Sequence, residues 1–302
     1  MTVTSAEAPP IARRGTTVLV SVLAGFALTV LWSASFVDRV IGDNVAGTLL
    51  GHDARETPIA GTFAGVVFAL VSGLAGTFTA CNIAAFGTVG PLLQEEPRGW
   101  RATLRPVGWM AAGIVAVSAT YGVVAALVGT RMPQFATAAS TGGLSPRNIQ
   151  SMIVYGVIGV AFIYLGLAAL GLVRDPLARV SRRFPAAPFV VMGALIGGFL
   201  IGRPFALFRM MFRDIAESHN VLYGALAFTL QSLANILVMA VLFLLLAKGF
   251  GGRVRSWLLA KPGRAARVTA VSLIVAGTFT LLYWDLRVLG RAGLFWYPTV
   301  GW

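Results

Sequence analysis

One cysteine, two histidines and 11 acidic residues are spread over 302 positions. The lone thiol, Cys81, rules out an internal disulfide and any zinc cluster built on several thiolates. G-x-S-x-G, H-E-x-x-H, phosphate-binding glycine loops and paired cysteine motifs are all missing. Hydrolase, metalloprotease and ATPase chemistry therefore have no residues behind them. Charge is scarce as well, at 12% of residues, about half of what soluble chains carry. With 57% hydrophobic residues, the chain cannot fold in water as an ordinary soluble domain.

What is present are apolar runs of about 20 residues, the length that crosses a hydrocarbon core of about 30 Å as a helix. In that medium each backbone amide must be bonded within its own segment, so the spans are helices. The runs place seven of them: Thr16 to Val37, Ala60 to Leu93 with an interruption, Val107 to Gly129, Ser151 to Val173, Pro188 to Phe212, Leu222 to Ala247 and Val268 to Leu286. The fold expected is all-α and integral to the membrane. The segments between spans, the longest being Asp38 to Ile59 and Thr130 to Gln150, are too short to form a separate domain. All seven Trp lie at or beyond these limits, where rings with one apolar and one wet side belong.

The net charge of +13 invites a nucleic-acid reading, but the positions of the cations explain it otherwise. Fifteen of the 24 Lys and Arg (Arg13, Arg14, Arg98, Arg101, Arg105, Arg174, Arg179, Arg182, Arg183, Lys248, Arg253, Arg255, Lys261, Arg264, Arg267) fall in alternate connections. The other side carries eight, and Arg203 lies within a span. The positive-inside rule then puts the N-terminus in the cytoplasm and the C-terminus outside a multi-pass cytoplasmic membrane protein. The first span reads as a retained anchor or, with Arg13 and Arg14 before it and Ser33-Ala34-Ser35 after it, as a signal peptide; its apolar length favours the anchor.

An internal repeat organises the rest. At an offset of 122 residues Gly76 falls on Gly198, Ala80 on Gly202, Cys81 on Arg203, Asn82 on Pro204, Ala84 on Ala206 and Phe86 on Phe208. Three helices separate the two segments, so they cross the bilayer in opposite directions. That is an inverted repeat of two three-helix halves, each opening on a broken helix. Residues 1–59 form the tail, anchor and outer loop, 60–286 the six-helix unit, and 287–302 an outer aromatic tail.

Several residues stand out against this frame. Cys81 follows Thr77 and Thr79 and precedes Asn82; a lone Cys is either a small apolar filler or, in so polar a segment, a thiol with work to do. Arg203, before Pro204, costs at least about 2.5 kcal/mol at the centre of a membrane and calls for a partner or water. It either snorkels to the outer headgroups or, placed near Cys81 by the repeat, holds a thiolate or an anion. Gln231 and Asn235 share one helix face, as interhelical glue or as the lining of a polar path. Asp285 reads as pairing with Arg287 or Arg291. His52 is a solvated loop residue, and Asp214, Glu217 and His219 form a solvated turn rather than a cation site. Phe295 to Pro298 read as an aromatic foot on the headgroups or a docking surface. No metal site and no cofactor are expected.

The run Val71 to Cys81 continuing to Gly90-Pro91-Leu92-Leu93, the run Gly193 to Phe208 with its Arg-Pro-Phe, and Asn220 to Ala225 resemble the DsbD/CcdA transmembrane family of thiol-reductant and cytochrome c biogenesis proteins. The likeness covers about residues 60 to 286. It implies six helices in two inverted halves, with one cysteine on each half passing electrons from a cytoplasmic thioredoxin-like protein to extracytoplasmic thiol proteins. Here Arg203 stands at the second cysteine position, and Ala80 and Asn82 replace prolines beside the first. A single thiol cannot close the disulfide that such exchange requires within one chain. The resemblance implies a divergent accessory protein assisting an extracytoplasmic redox protein, a cytochrome c or a quinone-cofactor dehydrogenase. The other reading is a small-solute or ion transporter with a mid-membrane site between the repeats; a structural subunit of a larger membrane complex is a third.

Overall fold

The computed structural model describes residues 13–33, 36–53, 59–76, 100–136, 144–202, 206–249 and 251–299, and no strand occurs among them. The helices are α1 (Arg14–Leu31), α2 (Asp43–Leu50), α3 (Gly61–Ala75), α4 (Trp100–Val128), α5 (Pro146–Ala169), α6 (Ala178–Arg183), α7 (Ala187–Gly202), α8 (Ala206–Ser218), α9 (Val221–Gly249), α10 (Gly251–Leu259), α11 (Arg264–Leu281) and α12 (Arg287–Arg291). A π-helical turn, Val37–Gly42, leads into α2, and another, Leu282–Leu286, joins α11 to α12. Two 3-10 turns, Gly129–Arg131 and Pro133–Phe135, follow α4.

The chain is an all-α membrane protein. Five segments are long and apolar enough to cross a bilayer: α1, Leu104–Arg131, α5, Val221–Leu242 and Arg264–Arg291. A sixth is made by α7 with α8, which meet at 84° across a short break. The seventh expected span is not seen among the described residues. α3 has 15 residues, which reach only about 22 Å at 1.5 Å per residue. The remainder of that run, 77–99, lies outside the described residues.

Glycine contacts fix how the helices run past one another. Gly65 faces Tyr223 and Gly73 faces the Gln231 carbonyl, so α3 and α9 are parallel. Gly193 faces the Met110 carbonyl and Gly197 faces Ile114, so α4 and α7 are parallel too. α4 and α9 are antiparallel, with Gly122 against Gly224, Tyr121 stacked on Phe228, and Ala126 level with His219 ahead of α9. α5 and α11 are antiparallel, with Gly159 against Gly277 and Gly166 against Ile274. Exchanging α3 with α7, α4 with α9 and α5 with α11 maps every one of these pairings onto itself or another. It also makes α3 and α7 run in opposite directions. That is the packing an inverted repeat requires, and α3 and α7, 15 and 16 residues long, are the matching short helices.

Two apolar clusters hold the halves together. One gathers Phe68, Tyr121, Phe208, Phe212 and Phe228, and the other Ile114, Tyr155, Ile158, Phe162 and Phe199. α8 lays one face on the first cluster, because Leu207, Phe208, Met211, Phe212, Ile215 and Ala216 recur at helical spacing while Arg209, Arg213 and Glu217 point away. Large apolar side chains such as Leu23 of α1 and Val157 of α5 stand exposed on the bundle's outer face, the surface that lipid covers.

α1 packs along α11, with Gly25 against Thr278. Its last carbonyls would be unsatisfied at a helix end. Arg287 meets them: Nη1 donates to the Thr29 carbonyl at 2.9 Å and the Trp32 carbonyl at 2.8 Å, and the guanidinium lies 4.7 Å from the Tyr283 ring. This corrects the expected pairing of Arg287 with Asp285. Asp285 lies instead against Gly156, and its Oδ2 is buried without a hydrogen bond. Capping a helix end gives the guanidinium two carbonyl acceptors at once. Trp284 also departs from the interfacial expectation by stacking on Tyr155 at 4.7 Å.

The aromatic tail divides its roles. Trp296 is 84% exposed, as a foot on the headgroups would be. Tyr297 folds back, its hydroxyl 2.5 Å from Thr29 Oγ1 and its ring edge-on to Phe26.

Candidate functional site at the end of α7

α7 is apolar all round, as Ala187-Pro-Phe-Val-Val-Met-Gly-Ala-Leu-Ile-Gly-Gly-Phe-Leu-Ile-Gly202 requires of a helix packed on every side. Its described part ends at Gly202, inside the bundle, where side chains of neighbouring elements reach its last carbonyls. In a medium without water each such group costs free energy unless a donor reaches it. The donors come from α5 and the turn at Pro133–Phe135.

Tyr155 donates its hydroxyl to the Phe199 carbonyl at 3.2 Å. Gln150 Nε2 donates to the Ile201 carbonyl at 3.0 Å and to the Tyr121 hydroxyl at 3.0 Å. Gln134 Nε2 donates to the same Ile201 carbonyl. Ser151 Oγ lies 2.6 Å from the Gly202 carbonyl and 3.0 Å from that of Arg147. α5 begins where it does because Pro146 occupies its first turn and the Ser145 side chain accepts from the Asn148 amide. That start sets Gln150 and Ser151 about one turn inside the helix, level with the end of α7.

The cluster is unevenly satisfied. Its nitrogens are used, yet Gln134 Oε1 and Gln150 Oε1 are buried with no hydrogen bond. Gln134 is only 3% exposed. Arg147 Nε, one turn before Ser151, is buried and unbonded as well, so donors and acceptors both stand unmet here.

None of these residues was singled out from the sequence, which read Thr130 to Gln150 as an outer loop. The signal available was a glutamine directly ahead of an apolar run. Of the residues that were singled out, Cys81, Asn82, Thr77, Thr79, Arg203 and Pro204 lie outside the described residues, and so does any contact between Cys81 and Arg203. Gln231 is 1% exposed, with Oε1 buried and unbonded, on the face of α9 that meets α3. Asn235 lies one turn further along and is half-buried.

The turn between α8 and α9 is tied to its neighbours by side-chain hydrogen bonds. Tyr223 donates its hydroxyl to Asp214 across Gly65, and His219, with φ of 50°, sets Nδ1 3.3 Å from the Ala126 carbonyl. Among the described residues no group of three or more His, Cys, Asp or Glu is placed to hold a metal ion. A concavity of about 220 Å³ opens between α4, α5, α7 and α11 at their basic-loop ends. It is lined by Met110, Leu165, Phe189, Met192 and Leu273, with Asp175 and Thr269 as its polar groups. No protein-family model, curated protein or solved structure matches the chain.

Proposed function

We propose that the chain is a membrane accessory protein of DsbD/CcdA type, seated in the cytoplasmic membrane with its N-terminus inside, which assists redox maturation of an extracytoplasmic protein. The observation that carries this reading is the pairing of two short helices in opposed halves. α3 ends at Ala75 and α7 at Gly202, and the sequence sets Cys81 six residues beyond the first end and Arg203 directly beyond the second. In this reading the Cys81 thiolate attacks a disulfide sulfur of a partner protein, forming a mixed disulfide and releasing the other sulfur as thiolate. A thiolate of a dithiol, thioredoxin-like partner then attacks the Cys81 sulfur, releasing the client's remaining thiolate, and that partner's second thiolate displaces Cys81 as thiolate and keeps the disulfide on the dithiol. The second thiol comes from the partner because this chain has one.

Complementation of a deletion strain tests it, with haem-stained c-type cytochromes and the thiol state of secreted proteins as readouts. Loss on deletion, restored by the wild-type chain and not by Cys81→Ser, is the expected result. Restoration by Cys81→Ser would leave an accessory role and eliminate the thiol. Normal maturation in the deletion strain would eliminate both.

A second reading, a small-solute or ion transporter, is favoured by the unpaired Gln134 and Gln150 oxygens beside a helix that stops within the bilayer. Uptake into proteoliposomes, with Arg203→Ala as the comparison, decides it; absence of flux for any solute counts against it.

A further inference from the structure

We propose that Asp285 is a proton-binding site within the membrane: its carboxyl, lying against Gly156 of α5, carries a proton at neutral pH and exchanges it with the face of the bilayer on which α5 begins. The inference goes beyond the accessory reading and does not depend on it.

Depth comes first. A Cβ built on Gly156 would stand 3.3 Å from Asp285 Oδ1 and 3.7 Å from Oδ2, so the carboxyl rests on the α5 backbone in the space a glycine leaves. α5 has 24 residues, about 36 Å at 1.5 Å per residue, and Gly156 lies about 15 Å past its start at Pro146. A hydrocarbon core of about 30 Å leaves only about 6 Å of that helix to overhang. The level of Gly156 is therefore inside the core however α5 is centred. Asp285 also lies close to the end of its own span at Arg291, which puts it in the part of the core nearest the start of α5.

The second feature is the lack of a partner. Oδ2 is buried, and no hydrogen bond or ion pair reaches either oxygen among the described residues. The charged and titratable groups around it are engaged or distant. On its own helix, Arg287 gives Nη1 to the Thr29 and Trp32 carbonyls with Tyr283 against its guanidinium, and Arg291 is exposed. On α5, the Tyr155 hydroxyl donates to the Phe199 carbonyl, and Arg147 stands about 13 Å along the helix from Gly156. α1 meets this turn through an uncharged end, where Tyr297 bonds Thr29. A carboxylate there would lose its hydration with no cation or donor to meet its charge, so the neutral acid is the form the site accepts. A metal ion would need further ligands, and no group of three His, Cys, Asp or Glu is placed to hold one among the described residues. Third, Asp285 stands in the π-helical turn Leu282–Leu286, a distortion frequent at functional sites.

The test is reaction of the full chain, purified and reconstituted in lipid vesicles, with dicyclohexylcarbodiimide, an apolar reagent that takes protonated carboxyls. The acid proton passes to a carbodiimide nitrogen, the carboxylate oxygen bonds the central carbon, and an O-to-N acyl shift leaves a stable N-acylurea. Peptide mass spectrometry is expected to find this adduct on Asp285 at about pH 7 while the exposed Asp53 and Glu217 stay unmodified. Labelling of Asp285 is expected to slow by at least about tenfold at about pH 9. Thermal unfolding gives a second readout. The unfolded chain releases the proton at neutral pH and the folded chain keeps it, so the contribution of Asp285 to stability falls as pH rises. The melting temperature of the wild-type chain is expected to drop more steeply with rising pH than that of Asp285→Asn, which cannot ionise. A steeper wild-type slope supports the site even where the reagent fails to reach it. Parallel slopes with no adduct on Asp285 overturn the proposal, and so does labelling of Asp53 and Glu217 as fast as Asp285. Protection of Asp285 by sodium chloride and not by choline chloride at fixed pH overturns it too, because a metal ion is then the ligand. Should Asp285→Asn not fold, labelling of the wild-type chain decides alone, a selective adduct supporting the site and its absence removing it.

Discussion

Gly122 and Gly224 each have the other's carbonyl where a Cβ would stand, at 2.5 Å for the carbonyl of Gly122 from a Cβ built on Gly224. The obstacle is backbone on both sides, so neither can yield without moving a helix. Gly122→Ala is expected to destabilise the fold by about 1–3 kcal/mol, the usual cost of overpacking. Gly108 sits in the same helix with nothing within 4 Å. There the same change adds helix propensity of up to about 1 kcal/mol, so Gly108→Ala is expected to hold or raise the melting temperature. Thermal unfolding of the two variants side by side checks this, and a larger loss for Gly108→Ala would refute the registry of α4 on α9. Gly73 and Gly193 likewise lie against carbonyls of the facing helix. Gly122, Gly159, Gly224 and Gly277 were not legible, because each owes its importance to a partner more than 100 residues away. Gln134 and Gln150 were missed because nothing local announces that a carbonyl of α7, 67 and 51 residues away, accepts from them.

At the scale of elements, α1 is the outlying helix, and what holds its end is a side chain from the far end of the chain. Arg287 is 6% exposed and its two bonds to α1 carbonyls are charge-assisted, the kind worth about 1.5–3 kcal/mol. Arg287→Met, which keeps the apolar stem, is expected to lower the melting temperature and loosen α1. Tyr297→Phe, losing one neutral hydroxyl contact to Thr29, is expected to cost about 1 kcal/mol or less. A smaller effect for Arg287→Met than for Tyr297→Phe, in parallel thermal melts, would show that the tail and not the guanidinium anchors the helix. Hydropathy found the long helices to within a few residues of either end, since α5 (Pro146–Ala169) and α9 (Val221–Gly249) are continuous apolar runs. It gave less at α7 and α8: one span was expected from Pro188 to Phe212, and the chain turns through 84° within it. Arg203-Pro204 marked the break, but only the amphipathic pattern of α8 says that the second piece lies with one face on the bundle.

The whole molecule is arranged so that the two halves share their contacts in opposite senses, and its orientation rests on charge. Arg287 counted among the eight cations of the outer side in the sequence, yet it is buried against α1. Removing it leaves seven against 15 and strengthens the charge bias, from which the positive-inside rule predicts a cytoplasmic connection after α5. α6 carries Arg179, Arg182 and Arg183 in that connection, while His52 and Thr299 lie on the opposite side, before α3 and after α12. The protein has a single native cysteine to remove, so single reporter thiols are clean probes. In a Cys81→Ser background, His52→Cys and Thr299→Cys are expected to react with a membrane-impermeant maleimide in intact cells. Ala178→Cys is expected to react only after the membrane is opened. The parallel packing of α1 with α11 demands that the two outer probes agree, because both helices run from the N-terminal side to the same face. Labelling of His52→Cys and Ala178→Cys from one side would break the antiparallel relation between halves, and labelling of Ala178→Cys in intact cells, with the other two reacting only after lysis, would invert the molecule.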